Sequence, residues 1–162
     1  MIFTIEGMPV PWPKKAITKT GKVYRKDIDG KYAVWEQRLL LTVKTKLISV
    51  FPSSLSSDLR MFPCEDALSY WSIFVFPRPK SVNITKRPFP NVRPDLDNLN
   101  YGVWNSLQGI LWKDDAQIVY VTHSAKCYAD RIITSANLPA IDLPKNFIGL
   151  VFGVNKIRYK IR

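Results

Sequence analysis

The chain has 162 residues, 46% of them hydrophobic and 23% charged, which is the size and composition of one globular domain rather than of a disordered chain. Two widely separated cysteines and a single histidine offer no zinc site, disulfide framework or multi-histidine metal site, and no apolar run approaches the roughly 18 residues of a membrane span. Twenty-four Lys and Arg stand against 13 Asp and Glu, a formal charge of +11; such a field draws polyanions, because each neutralised phosphate releases counterions.

In chain order, residues 1–6 alternate apolar and polar and predict a strand closed by Gly7. They carry neither the charged start nor the long apolar stretch of an export signal, so a cytoplasmic protein is expected. Pro9, Pro11 and Pro13 bar regular structure and predict an extended loop over residues 8–16. Lys14, Lys15, Lys19, Lys22, Arg25 and Lys26 follow around Gly21, where a short hairpin is plausible. Residues 31 to about 50 predict a helix after a turn at Asp29–Gly30, with Val34, Leu39, Leu41, Val43, Leu47 and Ile48 as an imperfect stripe, ended by Pro52 and serines. Residues 67–76 predict a core strand. Residues 77–93, with four prolines and the cations Arg78, Lys80, Lys86, Arg87 and Arg93, predict a mobile basic loop.

Residues 95–108 predict a helix. Leu96, Leu99, Val103 and Leu107 line one face, between Pro94 and Gly109. A short link and a turn at Lys113-Asp114-Asp115 lead to a strand over 118–124, and residues 147–162 contain another, finishing in alternating cations that suit an edge strand. No repeat or linker is visible, so the expected architecture is a single α+β domain, a small mixed sheet with helices packed on it, spanning residues 1–162.

Charge is unevenly placed. The window 95–115 holds four carboxylates (Asp95, Asp97, Asp114, Asp115) and one lysine, so the remainder carries +14. An acidic island in a protein that grips phosphates is explained by a divalent cation that bridges carboxylates and a substrate phosphate. An antiparallel return after the helix could bring Asp114 and Asp115 back beside Asp95. Each aspartate also has a plain alternative, as a helix cap or a turn residue.

The strings Arg93-Pro94-Asp95-Leu96-Asp97-Asn98-Leu99 and Lys113-Asp114-Asp115-Ala116-Gln117-Ile118 resemble the RusA family of Holliday-junction resolvases, with its (K/R)PDxDNLxK segment and DDxQ turn. Gly7-Met8-Pro9-Val10-Pro11 followed by Lys14-Lys15, Arg78-Pro79-Lys80-Ser81 and Lys126-Cys127-Tyr128 extend the likeness in the right order. The resemblance implies a homodimeric Mg²⁺- or Mn²⁺-dependent endonuclease, often phage- or prophage-encoded, that resolves four-way DNA junctions by paired symmetric nicks. Asp95, Asp97 and Asp115 match the family's catalytic and metal-binding aspartates, and Asp114 is then a supporting group at the metal. Lys14, Lys15, Arg78, Lys80, Lys86, Arg87, Arg93, Lys113 and Lys126 become the expected DNA-binding cations.

The sequence departs from the family pattern at two positions: the lysine of DxDNLxK is Tyr101 here, and the usual aspartate of the helix end is Asn105. A phenol carries no charge at neutral pH and cannot do a lysine's work on a phosphate; Lys113, Lys126 or Lys86 could substitute. Two other readings therefore stand beside the first, a catalytically weak or inactive branched-DNA-binding protein and an RNA-binding basic protein. Of the tryptophans, Trp12 in the proline loop is the best candidate for DNA contact and the others are expected in the core. His123 is expected as a satisfied histidine of a strand.

Overall fold

A computed structural model describes residues 1–13, 15–17, 19–21, 23–25, 27–51, 62–130 and 142–157. Lys14, Lys22, Lys26, Pro52 and the serine-rich stretch after it, and the cations beyond residue 157 lie outside the described residues.

Four strands form the main sheet in the order β1-β6-β4-β5, from β1 (Ile2–Glu6), β4 (Leu68–Phe76), β5 (Ile118–Tyr128) and β6 (Gly149–Lys156). The pairs β1–β6 and β6–β4 are antiparallel and β4–β5 is parallel, so the sheet is mixed. Both helices, α1 (Lys31–Val50) and α2 (Leu96–Leu107), contribute to the larger core cluster. The expected α+β class is the one observed. A hairpin of β2 (Lys15–Ile17) and β3 (Val23–Arg25) follows the proline loop, beginning one residue before that loop's expected end.

Burial explains the strands. In β1 only Phe3 and Ile5 are buried, the alternation of a half-covered strand. Nearly all of β4 is buried, as befits a strand covered on both faces. Its Tyr70 and Phe74 join the main core with Phe152 and both helices, while Trp71, Ile73 and Val75 meet Cys127, Phe147 and Val151 in a smaller cluster. Gly153 makes room for that second cluster, since a Cβ there would run into the Trp71 indole.

Three expectations need correction. The buried stripe of α1 is Tyr32, Trp35, Leu39, Val43 and Leu47, whereas Val34, Leu41 and Ile48 point to solvent; the aromatic pair at the helix start sets the rotation of the whole helix. The C-terminal strand is central rather than at an edge, because β6 lies between β1 and β4; its hydrophobic run from Leu150 to Phe152 is fully buried. The loop over 77–93 is pinned rather than loose. The Arg78 guanidinium, stacked 4.1 Å from the Tyr128 ring, donates to Asp130 and to the carbonyls of Arg87 and Pro88, and Asn83 accepts from two backbone amides of its own turn. Cys64 and Cys127 are both buried. Among the described residues no helix is long and apolar enough to cross a membrane.

Candidate functional site

The chain runs up β4, through the basic loop, down α2 and up β5, and this crossover decides where the acids lie. α2 begins at Asp95, whose backbone is extended (φ −72°, ψ 146°) and whose side chain makes no capping hydrogen bond. Asp97 follows in the first helical turn. Neither carboxylate has a hydrogen-bond or ion-pair partner among the described residues. Both sit where unpaired backbone N–H groups and the helix dipole favour negative charge.

Three contacts hold this end in place. Lys126, near the end of β5, donates from Nζ to the carbonyls of Val92 (2.9 Å) and Pro94 (2.8 Å), directly upstream of Asp95. The Trp12 amide donates to the Asn98 carbonyl (3.1 Å), laying the proline loop along α2. Within the sandwich, Ser72 of β4, Asn100 of α2 and Ser124 of β5 close a three-membered hydrogen-bond ring, with edges of 2.8, 2.7 and 2.9 Å. That ring fixes the rotation of α2, and so the direction in which Asp97 and Tyr101 point. Neither the ring nor Asn98's backbone role was anticipated, although an asparagine on the apolar side of a helical stripe is a legible warning of a polar partner.

Tyr101 lies one turn beyond Asp97, half-exposed, with Trp12 edge-on to it at 6.3 Å and to Tyr32 at 5.4 Å. Gly102 faces both the Trp12 amide and the Tyr32 ring, and its carbonyl accepts from the Tyr32 hydroxyl at 3.1 Å. Between the proline loop and residues 93–95 opens a cleft of about 680 Å³. Trp35, Trp71 and Trp112 are buried and Trp104 packs on the core, as expected.

Asp114 and Asp115 are at the other end. Asp114 caps a 3-10 turn over Asp115–Gln117 by accepting from the Ala116 amide (2.9 Å). The Gln117 side chain completes the box by accepting from the Lys113 and Asp114 amides, and it donates to the carbonyls of Cys64 and Asp66. The Asp115 carboxylate has no partner among the described residues. Because β5 starts at Ile118 opposite Leu68, while Lys126 reaches Pro94, Asp115 is separated from Asp95 by the length of α2, 12 residues or about 18 Å. The antiparallel return brings Lys126, not Asp115, beside Asp95. Among the described residues no three His, Cys, Asp or Glu side chains gather where they could hold a metal.

Of the expected DNA-binding cations, Lys80, Lys86 and Arg93 are exposed and Arg87 half-buried in the loop that leads into Asp95. Arg78 is engaged inside that loop, and Asp130 holds its guanidinium above the usual range. Lys113 lies at the opposite end, 3.2 Å from Glu65. Lys14 lies outside the described residues and Lys15 opens β2. His123 pairs with Trp71 across β4–β5, on the sheet face that carries the second cluster, and its Nε2 is buried without a hydrogen bond; it is not the satisfied histidine expected.

The family model described as endodeoxyribonuclease RusA matches residues 6–134. The chain belongs to the RusA endodeoxyribonuclease family. The match spans both acidic ends of the crossover and stops before β6, the strand that completes the middle of the sheet. The chain is also 27% identical over 129 residues to the uncharacterized protein YqaN of Bacillus subtilis (strain 168), an alignment covering 72% of this chain and 80% of that protein. The Asp95–Asp97 pair and the Gln117 box both fall within the matched span.

Proposed function

We propose that this RusA-family chain is a divalent-cation-dependent endonuclease that nicks four-way DNA junctions in symmetric pairs as a homodimer. The observation that carries the reading is a pair of carboxylates, Asp95 and Asp97, at a helix N-terminus and without hydrogen-bond or ion-pair partners among the described residues, in a chain of charge +11. An uncompensated pair of this kind beside a phosphate needs a cation. The donors fit Mg²⁺ or Mn²⁺: hard carboxylate oxygens, few enough to leave room for water and a substrate phosphate. When bound, such an ion supplies an activated water and offsets charge on the leaving oxygen.

The remaining steps belong to the chain's own residues. Lys126 fixes the carbonyls of Val92 and Pro94 with two of its three N–H donors; its third N–H and its ammonium charge stand in for the lysine absent at Tyr101. Lys80, Lys86, Arg87 and Arg93 hold backbone phosphates on the same end, reading the shape of the branch rather than base edges. The third aspartate, at the far end of the crossover in its own chain, serves the site as Asp115 of the partner subunit.

The test is a synthetic four-way junction with Mg²⁺ or Mn²⁺. Nicks on opposed strands are expected with the native chain, and none with Asp97→Asn, which keeps its binding. Equal affinity for junction and linear duplex, with no cleavage under either ion, overturns the proposal. One observation favours a second reading, a branched-DNA binder without turnover: Tyr101 is packed edge-on against Trp12 where a lysine is usual. Junction binding without cleavage, with activity gained in Tyr101→Lys, selects it.

A further inference from the structure

We propose that the cleft beside Asp95 receives one nucleobase unstacked from the DNA branch, so that the nucleotide's phosphate passes the Asp95–Asp97 carboxylates. This rests on the nuclease reading. At about 680 Å³ the cleft falls in the size range of built ligand pockets. Its wall is the proline loop, where Pro9, Val10 and Pro11 offer flat apolar surface, and Phe76 lies across from it. A planar, weakly polar ring fits such a lining better than any charged group does. Asn98 adds an amide, which can donate to and accept from a base edge.

The rim points to a nucleotide rather than to an uncharged ligand. Arg93 is exposed there beside Asp95. The other acids of the cleft are already engaged: Asp27 accepts from the Tyr32 and Ala33 amides at the start of α1, and Asp29 pairs with Lys31 at 3.2 Å. Asp95 is thus the carboxylate of the cleft left for a bridging cation, next to one arginine for a phosphate. Proteins that act on nucleic acid recover the cost of unstacking by packing the freed base on aromatic and apolar side chains, and a branch point is where that cost is least.

The experiment uses four-way junctions carrying a single 5-iodouracil at successive positions around the crossing, bound by the Asp97→Asn chain with Mg²⁺ and irradiated, with the cross-linked peptides mapped by mass spectrometry. Gel shift measures junction binding in parallel. The expected result is a cross-link to Met8 or Trp12, the accessible soft and aromatic side chains of the lining, from one or two positions only, with its yield falling at least tenfold when Val10→Trp fills the cleft, at protein concentrations that saturate the junction. Val10→Phe is the milder filling if the tryptophan prevents folding. A saturated junction with no cross-link at those residues, or one that either filling leaves undiminished, overturns the inference alone. A junction that is not bound at all overturns the nuclease reading and this one with it.

Discussion

Asp114 and Asp115 are neighbours with the same side chain and different work. Asp114 is committed to the Ala116 amide, while the Asp115 carboxylate has no hydrogen-bond or ion-pair partner among the described residues. Asp114→Ser keeps a capping oxygen and should leave both melting temperature and nicking near native values, whereas Asp114→Ala should cost about 1 kcal/mol in urea denaturation. Asp115→Asn should behave in the opposite way, with an unchanged melting temperature and cleavage lost. Lys126 is the other residue whose position decides its role. It anchors the backbone next to Asp95 from a different element, so Lys126→Ala should lower kcat more than tenfold with little change in KM, and Lys126→Arg should restore part of it; full rescue by arginine would assign Lys126 a purely electrostatic task. The acids were legible from spacing and family likeness, and the capping pair Asp114 and Gln117 was written in the sequence as an Asp followed three residues later by Gln. The partner of Lys126 was not legible, since a lysine in a strand does not announce which carbonyls it will reach.

At the level of elements, α2 places the Asp95–Asp97 pair. Its stripe of Leu99, Val103 and Leu107 is fully buried, as the spacing predicts, because a strong apolar period leaves one way to pack. α1 was placed correctly but rotated wrongly, because its aliphatic residues are spread around the cylinder and the large rings of Tyr32 and Trp35 took the buried face, where the Tyr32 hydroxyl meets Gly102 and Ser106 of α2. The order of the sheet was out of reach of local patterning: β6 looks like any short apolar strand with a charged tail, and only pairing reveals it as central. What aims α2 is polar rather than apolar. Asn100 is almost wholly buried and its amide is shared between two serines on adjacent strands. Asn100→Leu should leave those hydroxyls without their partner and destabilise the fold by about 1–3 kcal/mol in urea titration. It should also weaken Asp97-dependent cleavage, although Asn100 is buried and out of reach of a substrate.

For the whole molecule, the crossover divides the charged groups between two ends. The loop cations, Lys126 and the Asp95–Asp97 pair share one end of the sheet, and the Lys113–Glu65 pair and Asp115 occupy the other. Charge totals could show that acids and bases were segregated along the chain, but not that 20 residues of sequence would span the height of the domain.

That span has a genetic consequence. Two defective polypeptides, one bearing Asp97→Asn and the other Asp115→Asn, would each be dead as pure preparations. Refolded together, the hybrids should contain one damaged centre and one whole centre. They should therefore cut a single strand of the four-way substrate, at up to half the amplitude of native material once random assortment is counted. If each centre were instead built from a solitary polypeptide, no mixture would recover anything.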